Sequence, residues 1–552
     1  MEYARAMRVG LVQLATEVGN LSGNALAIRA GIAAARAAGA EVALLPELAI
    51  TGYPPLDLLL ERGFVEENLR VLREEIAPAA RDIVAVVGFV DRDPERISPE
   101  GLPLLHNAAA VVEDGRIVGV THKTLLPEYD VFFERRYFTP GRNRTVHRTR
   151  VGPIGIVICE DLWDDAYDCK VASELARGGA RVLLSLSASP FWTGKSGLRI
   201  DVARRRVRDT GLPVAYVNQV GSEDGYEGQL VFDGGSFALG ANGQLLAAAR
   251  RFETDLVVAD LEGPAAAEPA VEAAAEEIAR AIVLGTREYA RRNGFTSAVL
   301  GLSGGIDSAV VAALAVEALG PERVLALSMP SRFSSERGRH DTQRVAESLG
   351  CPLRYIPIEP MLRAVEGSLE STLAGPAGEV AHENVQARLR GLVLMAVSNR
   401  EGRLLLTTSN KTEQALGYCT LYGDMNGGLA PLSDVSKLQV YELGRRVNRR
   451  AGRELIPESI FRVPPSPELR ADQVEPFDYS VVSPLVDEII ERRSSRAELM
   501  ARGYAAEVVD DCLARIARAE YKRRQAPPGI KVTGKAFGVG RRIPIAHGFR
   551  SE

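Results

Sequence analysis

Cysteine is scarce and scattered. The five residues, Cys159, Cys169, Cys351, Cys419 and Cys512, form no Cys-x-x-Cys pair and no zinc spacing. An odd, dispersed set speaks against a disulfide framework and for a reducing compartment. Long hydrophobic runs are missing as well. None approaches the roughly 20 residues that span a bilayer, and Met1 to Gly10 lacks the apolar core of a signal peptide. A basic surplus is also absent: 67 Lys and Arg face 72 Asp and Glu, for a formal net charge of −5. That removes the electrostatic footing for nucleic acid or an acidic membrane surface. The expectation is a cytoplasmic protein with neither nucleic acid nor membrane as a partner.

What is present is ordinary globular material, 46% hydrophobic and 25% charged. A chain of 552 residues is too long for one core and asks for two to four domains. Strand patterns at Arg8 to Leu14, Val42 to Leu45, Ile83 to Val90, Ala108 to Val112, Ile117 to Val120, Ile154 to Cys159, Val182 to Ser185, Val214 to Asn218 and Leu256 to Leu261 alternate with helical stretches such as Asn24 to Ala38. This predicts an α/β layered domain with antiparallel content over residues 1–262. Gly263 to Ala275 carries two prolines and no strand pattern, so it reads as a linker, running into a helix that continues to about Arg292. Over residues 276–552, strands at Val324 to Ser328, Leu353 to Ile358 and Leu404 to Thr408 alternate with helices, which argues a doubly wound parallel sheet.

The most informative stretch of the second half is Gly301, Leu302, Ser303, Gly304, Gly305, Ile306, Asp307 and Ser308. An apolar run leads in and an Ala-, Val- and Leu-rich helix pattern leads out to Leu319. Strand, glycine turn and helix in that order aim backbone N–H groups into one concavity at a helix N-terminus, where the dipole favours an anion. Asp307 would repel a phosphate unless a cation lies between, so it reads as a Mg²⁺ ligand. No Walker A pattern is present. Downstream, Glu383 to Arg388 begins a helix of mixed polarity, and Thr407 to Glu413 follows a buried strand. The latter offers hydroxyl and amide contacts and, in Glu413, a second carboxylate for the metal.

In the first half, three reactive residues stand near strand ends: Glu47 after Leu-Leu-Pro, Lys123 in Thr-His-Lys-Thr, and Cys159 after Gly-Ile-Val-Ile. Singly each is unremarkable. Together they make a carboxamide-hydrolysing device: a thiolate nucleophile, a carboxylate that takes its proton and returns it to the departing nitrogen, and a cation for the tetrahedral oxyanion, helped by the Glu160 N–H.

Short motifs in both halves carry a family resemblance. The segment at Gly301 to Ser308 resembles the pyrophosphate loop of ATP pyrophosphatases, which adenylate a carboxyl or carbonyl oxygen. Leu-Pro-Glu-Leu-Ala-Ile-Thr-Gly-Tyr-Pro around Glu47, His-Lys-Thr-Leu-Leu-Pro around Lys123 and Cys-Glu-Asp-Leu-Trp at Cys159 resemble the nitrilase superfamily with its Glu-Lys-Cys triad. Within it, the half is similar to the glutaminase domain of the glutamine-dependent NAD synthetase family. The second half is similar to that family's synthetase domain, through Glu383 to Arg388, Thr407 to Glu413, Tyr422 to Gly428 and Tyr521 to Gly529.

The resemblance implies an α-β-β-α sandwich, a homo-oligomer, glutamine, ATP and deamido-NAD as substrates, and Mg²⁺. It further implies Glu47, Lys123 and Cys159 as catalytic residues, with Glu134 as a second carboxylate. Tyr129, Ser189 and Lys195 would hold glutamine. The loop from Gly301 to Ser308, with Thr408, would hold ATP. Asn384, Glu413 and Lys522 would contact deamido-NAD, and Asp307 with Glu413 the metal. Relatives that amidate or thiolate other acceptors share this machinery, so the acceptor rests on the resemblance. Two segments differ from the family's usual run: Glu128 and Phe133 flank the glutamine loop, and Val474 to Tyr479 replaces a proline-rich stretch.

Overall fold

Mostly apolar strand runs build two six-stranded sheets in the first half of the computed structural model, which describes residues 7–97, 101–375, 378–471 and 473–549. The chain divides into two units. One comprises the chain through Gly225 with Leu230–Val271, the other Tyr226–Gln229 with the chain from Glu272.

The strands of the first unit are β1 (Arg8–Gln13), β2 (Val42–Leu44), β3 (Val84–Ile97), β4 (Pro103–Glu113), β5 (Arg116–His122), β6 (Val146–Thr149), β7 (Gly152–Ile158), β8 (Val182–Ser187), β9 (Val214–Asn218), β10 (Val220–Asp224), β11 (Gly228–Asp233), β12 (Phe237–Leu239), β13 (Leu245–Ala248) and β14 (Asp255–Asp260). One sheet runs β14-β1-β2-β3-β4-β5, the other β13-β12-β9-β8-β7-β6. Val9, Leu11, Val42, Leu44, Val84 and Val86 of the first meet Ile154, Ile156, Val182, Leu184 and Leu186 of the second in one dry core. The outer faces are covered by α1 (Leu21–Ala37) and α2 (Arg62–Val71) on one side and by α3 (Val171–Arg177) and α4 (Lys195–Thr210) on the other. The unit is the α-β-β-α sandwich. Strands buried on both faces read as continuous apolar runs, which is why the central ones are visible in the sequence. Short or polar strands such as β6, β12 and β13 are not.

The second unit holds β15 (Ala298–Gly301), β16 (Val324–Ser328), β17 (Leu353–Tyr355) and β18 (Leu404–Leu405), all parallel, in the order β17-β16-β15-β18. Its helices include α5 (Ala274–Arg292), α6 (Ile306–Leu319), α7 (Glu336–Leu349), α8 (Glu359–Ser368), α9 (Glu370–Leu373), α10 (Gly378–Glu401), α11 (Lys411–Leu416) and α12 (Lys437–Ala451). Arg446 of α12 ties Glu276 of α5 to Glu317 of α6. Chain order reverses at β15, the switch point where ligands of such sheets bind beyond the strand ends. Two expected strands are shorter than their apolar runs. β17 stops at Tyr355 as the chain turns into α8, whose N-cap is Ile358, and β18 stops at Leu405 as it turns toward α11. Glu383 to Arg388 lies inside the 24-residue α10 rather than at its start. Among the described residues, no helix is long and apolar enough to cross a membrane.

Candidate active sites

The first unit gathers its reactive side chains at the carboxyl ends of β2, β5 and β7. Glu47 follows β2, and its tight turn presses against β3. A side chain at Gly88 would collide with the backbone of Pro46–Leu48, so only glycine fits there. Glu47 is completely buried, and donors from three elements satisfy it. Asn107 Nδ2 of β4 and Lys123 Nζ each reach Oε1 at 2.7 Å, while the Ala188 N–H beyond β8 reaches Oε2 at 2.9 Å. Lys123 Nζ also donates to Glu134 Oε1 at 2.7 Å, to which Tyr53 adds a hydroxyl at 2.9 Å. One ammonium is thus shared by two carboxylates.

Cys159 directly follows β7 at φ 47°, in the left-handed region that a residue with a Cβ rarely adopts. Asp161 holds that turn. Its Oδ1 accepts the N–H groups of Thr124 and Leu125 at 3.0 and 2.8 Å, and its Oδ2 that of Ile158 at 3.1 Å. The segment after Lys123 and the strand before Cys159 are therefore tied through one side chain.

Electrostatics follow from burial. Burial pushes the Cys159 thiol well above its ordinary range, Glu47 adds to the effect, and Lys123 opposes it. The resting sulfur is a thiol that needs a base. Burial works against the Lys123 charge, but Glu134 and Glu47 outweigh it and hold the ammonium. Burial pushes Glu134 up to about 7, against the pull of Lys123.

Around this group, Tyr129 donates its hydroxyl to Glu160 Oε2 at 2.9 Å, and Tyr167 donates to Glu160 Oε1 at 2.9 Å. Burial raises the Glu160 carboxyl, with Lys123, both tyrosines and Lys195 opposing. Ser189 is held by Asn218, whose Oδ1 accepts its N–H at 2.8 Å, and by Arg199, whose Nε donates to its hydroxyl at 3.2 Å. Lys195 starts α4 and donates to the Pro190 carbonyl at 2.8 Å, its ammonium 5.9 Å from the centre of the Trp163 ring. The structure thus brings Glu47 and Lys123 into contact, sets Cys159 in their field, and joins Tyr129 to the residue after Cys159. Asn107, Asp161 and Glu160 were not singled out as side chains from the sequence. Only the latter two had a signal, standing beside Cys159 in Cys-Glu-Asp-Leu-Trp.

In the second unit, the loop from Gly301 to Ser308 leaves β15 and enters α6. No side chain caps α6 at Gly305, so the N–H groups of its first turn face the loop's hollow. Ser303 and Ser308 brace the turn, with hydroxyls 3.2 Å apart. Gly304 adopts φ 83°, and a Cβ there would strike the Gly338 carbonyl near the start of α7. A cavity of about 310 Å³ opens here, lined by the whole loop and by Thr408, Glu413, Lys437 and Tyr441.

Asp307 and Glu413 do converge, with a lysine between them. Lys437 Nζ lies 2.6 Å from Asp307 Oδ2 and 3.1 Å from Glu413 Oε1. Asn410 donates to Asp307 Oδ1 at 2.8 Å and, through its N–H, to Glu413 Oε2 at 3.3 Å. Burial opposes the Lys437 charge, but Asp307, Glu413 and Glu475 sustain it. The Tyr479 ring lies against it, 5.2 Å from the ammonium, and its hydroxyl donates to Glu475. The divergent stretch Val474 to Tyr479 therefore supplies two side chains to this cluster. Among the described residues, no three His, Cys, Asp or Glu side chains are grouped to hold a metal.

Asn384 and Lys522 meet elsewhere, on one turn. Asn384 Oδ1 accepts the Thr420 hydroxyl at 2.7 Å, and Lys522 Nζ donates to the carbonyls of Gly417 and Cys419 at 2.8 and 2.7 Å. Neither is among the residues lining the 310 Å³ cavity.

Comparison with known proteins bears on both halves. The carbon-nitrogen hydrolase family model matches residues 8–268 and the NAD synthase model residues 278–526. A glutamine-dependent NAD(+) synthetase of a Synechocystis species is 41% identical over 565 residues, covering 99% of each chain. One from Thermotoga maritima is 37% identical over 589 residues, again 99% of each. The solved structure of glutamine-dependent NAD+ synthetase from Acinetobacter baumannii in complex with adenosine diphosphate is 34% identical, with a TM-score of 0.78 over 99% of this chain and 100% of its own. With full-length relatives at that identity and a family model on each half, the chain belongs to the glutamine-dependent NAD(+) synthetase family.

Proposed function

We propose that the chain amidates deamido-NAD to NAD, using ATP and the amide nitrogen of glutamine. The first unit frees the nitrogen. Glutamine's carboxamide carbon meets the Cys159 sulfur, Glu47 takes the thiol proton, and Lys123 with the Glu160 N–H receives the developing oxyanion. The proton passes from Glu47 to the leaving nitrogen, so neutral ammonia departs and a glutamyl thioester remains. Water attacks that thioester, glutamate leaves, and the thiol is restored. Tyr129, Ser189 and Lys195 hold the amino-acid end, and the Glu160 carboxylate is the counterion for its ammonium.

The second unit makes the acceptor. A carboxylate is a poor electrophile, so a nicotinate oxygen attacks the α-phosphorus of ATP and pyrophosphate leaves. Ammonia then attacks the acyl carbon and AMP departs. The loop from Gly301 to Ser308 and Thr408 bind ATP, while Asn384, Glu413 and Lys522 bind the dinucleotide. Carboxylate oxygens suit Mg²⁺, which takes one or two of them alongside substrate phosphates. Asp307 and Glu413 would hold it and it would neutralise phosphate charge, with Lys437 turning from them to the phosphates. A homo-oligomeric assembly belongs to the same proposal.

The observation that carries this reading is a buried Glu47–Lys123 pair beside a strained thiol, in a chain whose other unit has an uncapped helix over a glycine loop. Replacing Cys159 by Ala tests it. Glutamate release and glutamine-driven NAD synthesis should fall at least ~10³-fold, while synthesis from ammonium persists. Loss of both activities in a folded variant refutes the division of labour.

A further inference from the structure

Behind the Glu47–Lys123 pair, on the opposite face of the same sheet, two imidazoles lie flat on each other. The rings of His106 and His122 are parallel to within 1°, with centroids 4.0 Å apart. Each stands one residue before a holder of Glu47: His106 precedes Asn107, and His122 precedes Lys123. Successive side chains on a strand face opposite ways, so the same backbone carries the stack on one face and the amidase contacts on the other. The two strands are locked at this level, where the Lys123 N–H donates to the Asn107 carbonyl at 2.8 Å.

The outer ring nitrogens are anchored too. His122 Nε2 lies 2.8 Å from Asp91 Oδ2 on β3, and His106 Nδ1 lies 2.8 Å from the Thr139 carbonyl. A carbonyl only accepts, so Nδ1 of His106 carries a hydrogen. Thr139 ends the segment that bears Tyr129 and Glu134, and its own N–H returns to the Leu105 carbonyl at 2.7 Å. One stack thus braces β3, β4, β5 and the foot of the glutamine loop.

We propose that His106 and His122 are positioning residues for the amidase and make it acid-sensitive: the stack tolerates one proton, and a second drives the rings apart and disorders the Asn107–Glu47–Lys123 contacts. The charged and polar groups facing the pair are Asp91 and Arg96 from β3 and the Thr139 carbonyl. Asp91 can balance a single charge on His122, the outer ring, whose side chain is 32% exposed. His106 is 3% exposed, and Asp91, its cross-strand neighbour, is already bonded to His122, so one carboxylate faces both rings. Burial, His122 and Arg96 all depress its basicity, against Thr139 and Asp91. Two like charges at stacking distance repel strongly in such surroundings. The synthetase chemistry has no part in this device.

This inference rests on the proposed glutaminase, so two readouts separate their failures. The first is glutamate release by the full chain across pH 5 to 8, beside ammonium-driven synthesis, for the wild type, His106→Asn and His122→Gln. Both variants keep a donor toward the old partner and cannot be charged. Taken relative to each protein's own rate at pH 8, the acid limb of glutamate release should move down by about one pH unit or more in each variant, while the ammonium-driven profile is unchanged. An acid limb that stays in place in both variants overturns the inference. The second readout needs no turnover. In an imidazole NMR titration, His122→Gln should raise the His106 midpoint by about one unit. Independent titration of the two rings overturns the inference as well, even in a chain that releases no glutamate.

Discussion

A carboxylate buried among backbone N–H groups is held by donors that a carboxamide cannot serve equally. Asp161 is such a group, 1% exposed, and its three donors come from either side of the thiol site. In Asp161→Asn one oxygen becomes an NH₂ facing an N–H, which leaves buried donors unpaired. The cost should be about 2 kcal/mol of stability, read as a lower melting midpoint. The larger effect is local: glutamate release should fall at least ~10-fold as the Cys159 turn loosens, while ammonium-driven synthesis keeps its rate. Equal damage to both would show that Asp161 serves the whole fold and not the turn. Lys437 is its counterpart in the other unit. It is 1% exposed between Asp307 and Glu413, and its removal would strand two partly buried carboxylates side by side.

Elements place these residues, and the loop between β15 and α6 does so with the least freedom. Gly304 needs a left-handed backbone and space against Gly338. Gly304→Ala adds roughly 1–2 kcal/mol of backbone strain and a clash that pushes the loop off α7. Pyrophosphate release should drop at least ~10-fold with glutamate release intact; a variant that adenylates at the wild-type rate would show the close approach to be incidental. Much of this scale was legible in the chain. Val214–Asn218 and Val324–Ser328 form strands with the expected bounds, because continuous β-branched and apolar runs have no other place to go. Glu47, Lys123 and Cys159 stood out because together they make one chemical device, and Asp307 and Glu413 because carboxylates beside a phosphate loop imply a cation. Residues that act only through distant partners did not. Lys437 meets Asp307 across 130 positions and Asn107 meets Glu47 across 60, and local pattern carries no trace of either. Leu353 to Ile358 and Leu404 to Thr408 misled in the opposite sense, since their apolar residues continue past the strand to pack against helices or line the site.

At the scale of the whole molecule, two chemistries that need opposite conditions share one chain. Ammonium is the stable form of free ammonia near neutrality and is not a nucleophile, whereas an acyl adenylate needs the neutral base. In the reaction proposed above, an amidase in the same polypeptide removes the conflict, because Glu47 would hand its proton to the leaving nitrogen and the product would depart uncharged. The pH response of synthesis should therefore depend on the nitrogen source. With ammonium at a fixed, subsaturating total concentration, NAD formation should rise about tenfold per pH unit toward alkaline pH, following the free base. With saturating glutamine it should vary by less than about threefold between pH 7 and 8.5, since the buffer does not set the protonation of the nitrogen delivered. Initial rates from both donors on one preparation give the two slopes directly. If ammonia freed at Cys159 equilibrated with solvent before use, the glutamine slope would steepen to match that of ammonium, and glutamate would accumulate in excess of NAD at low pH.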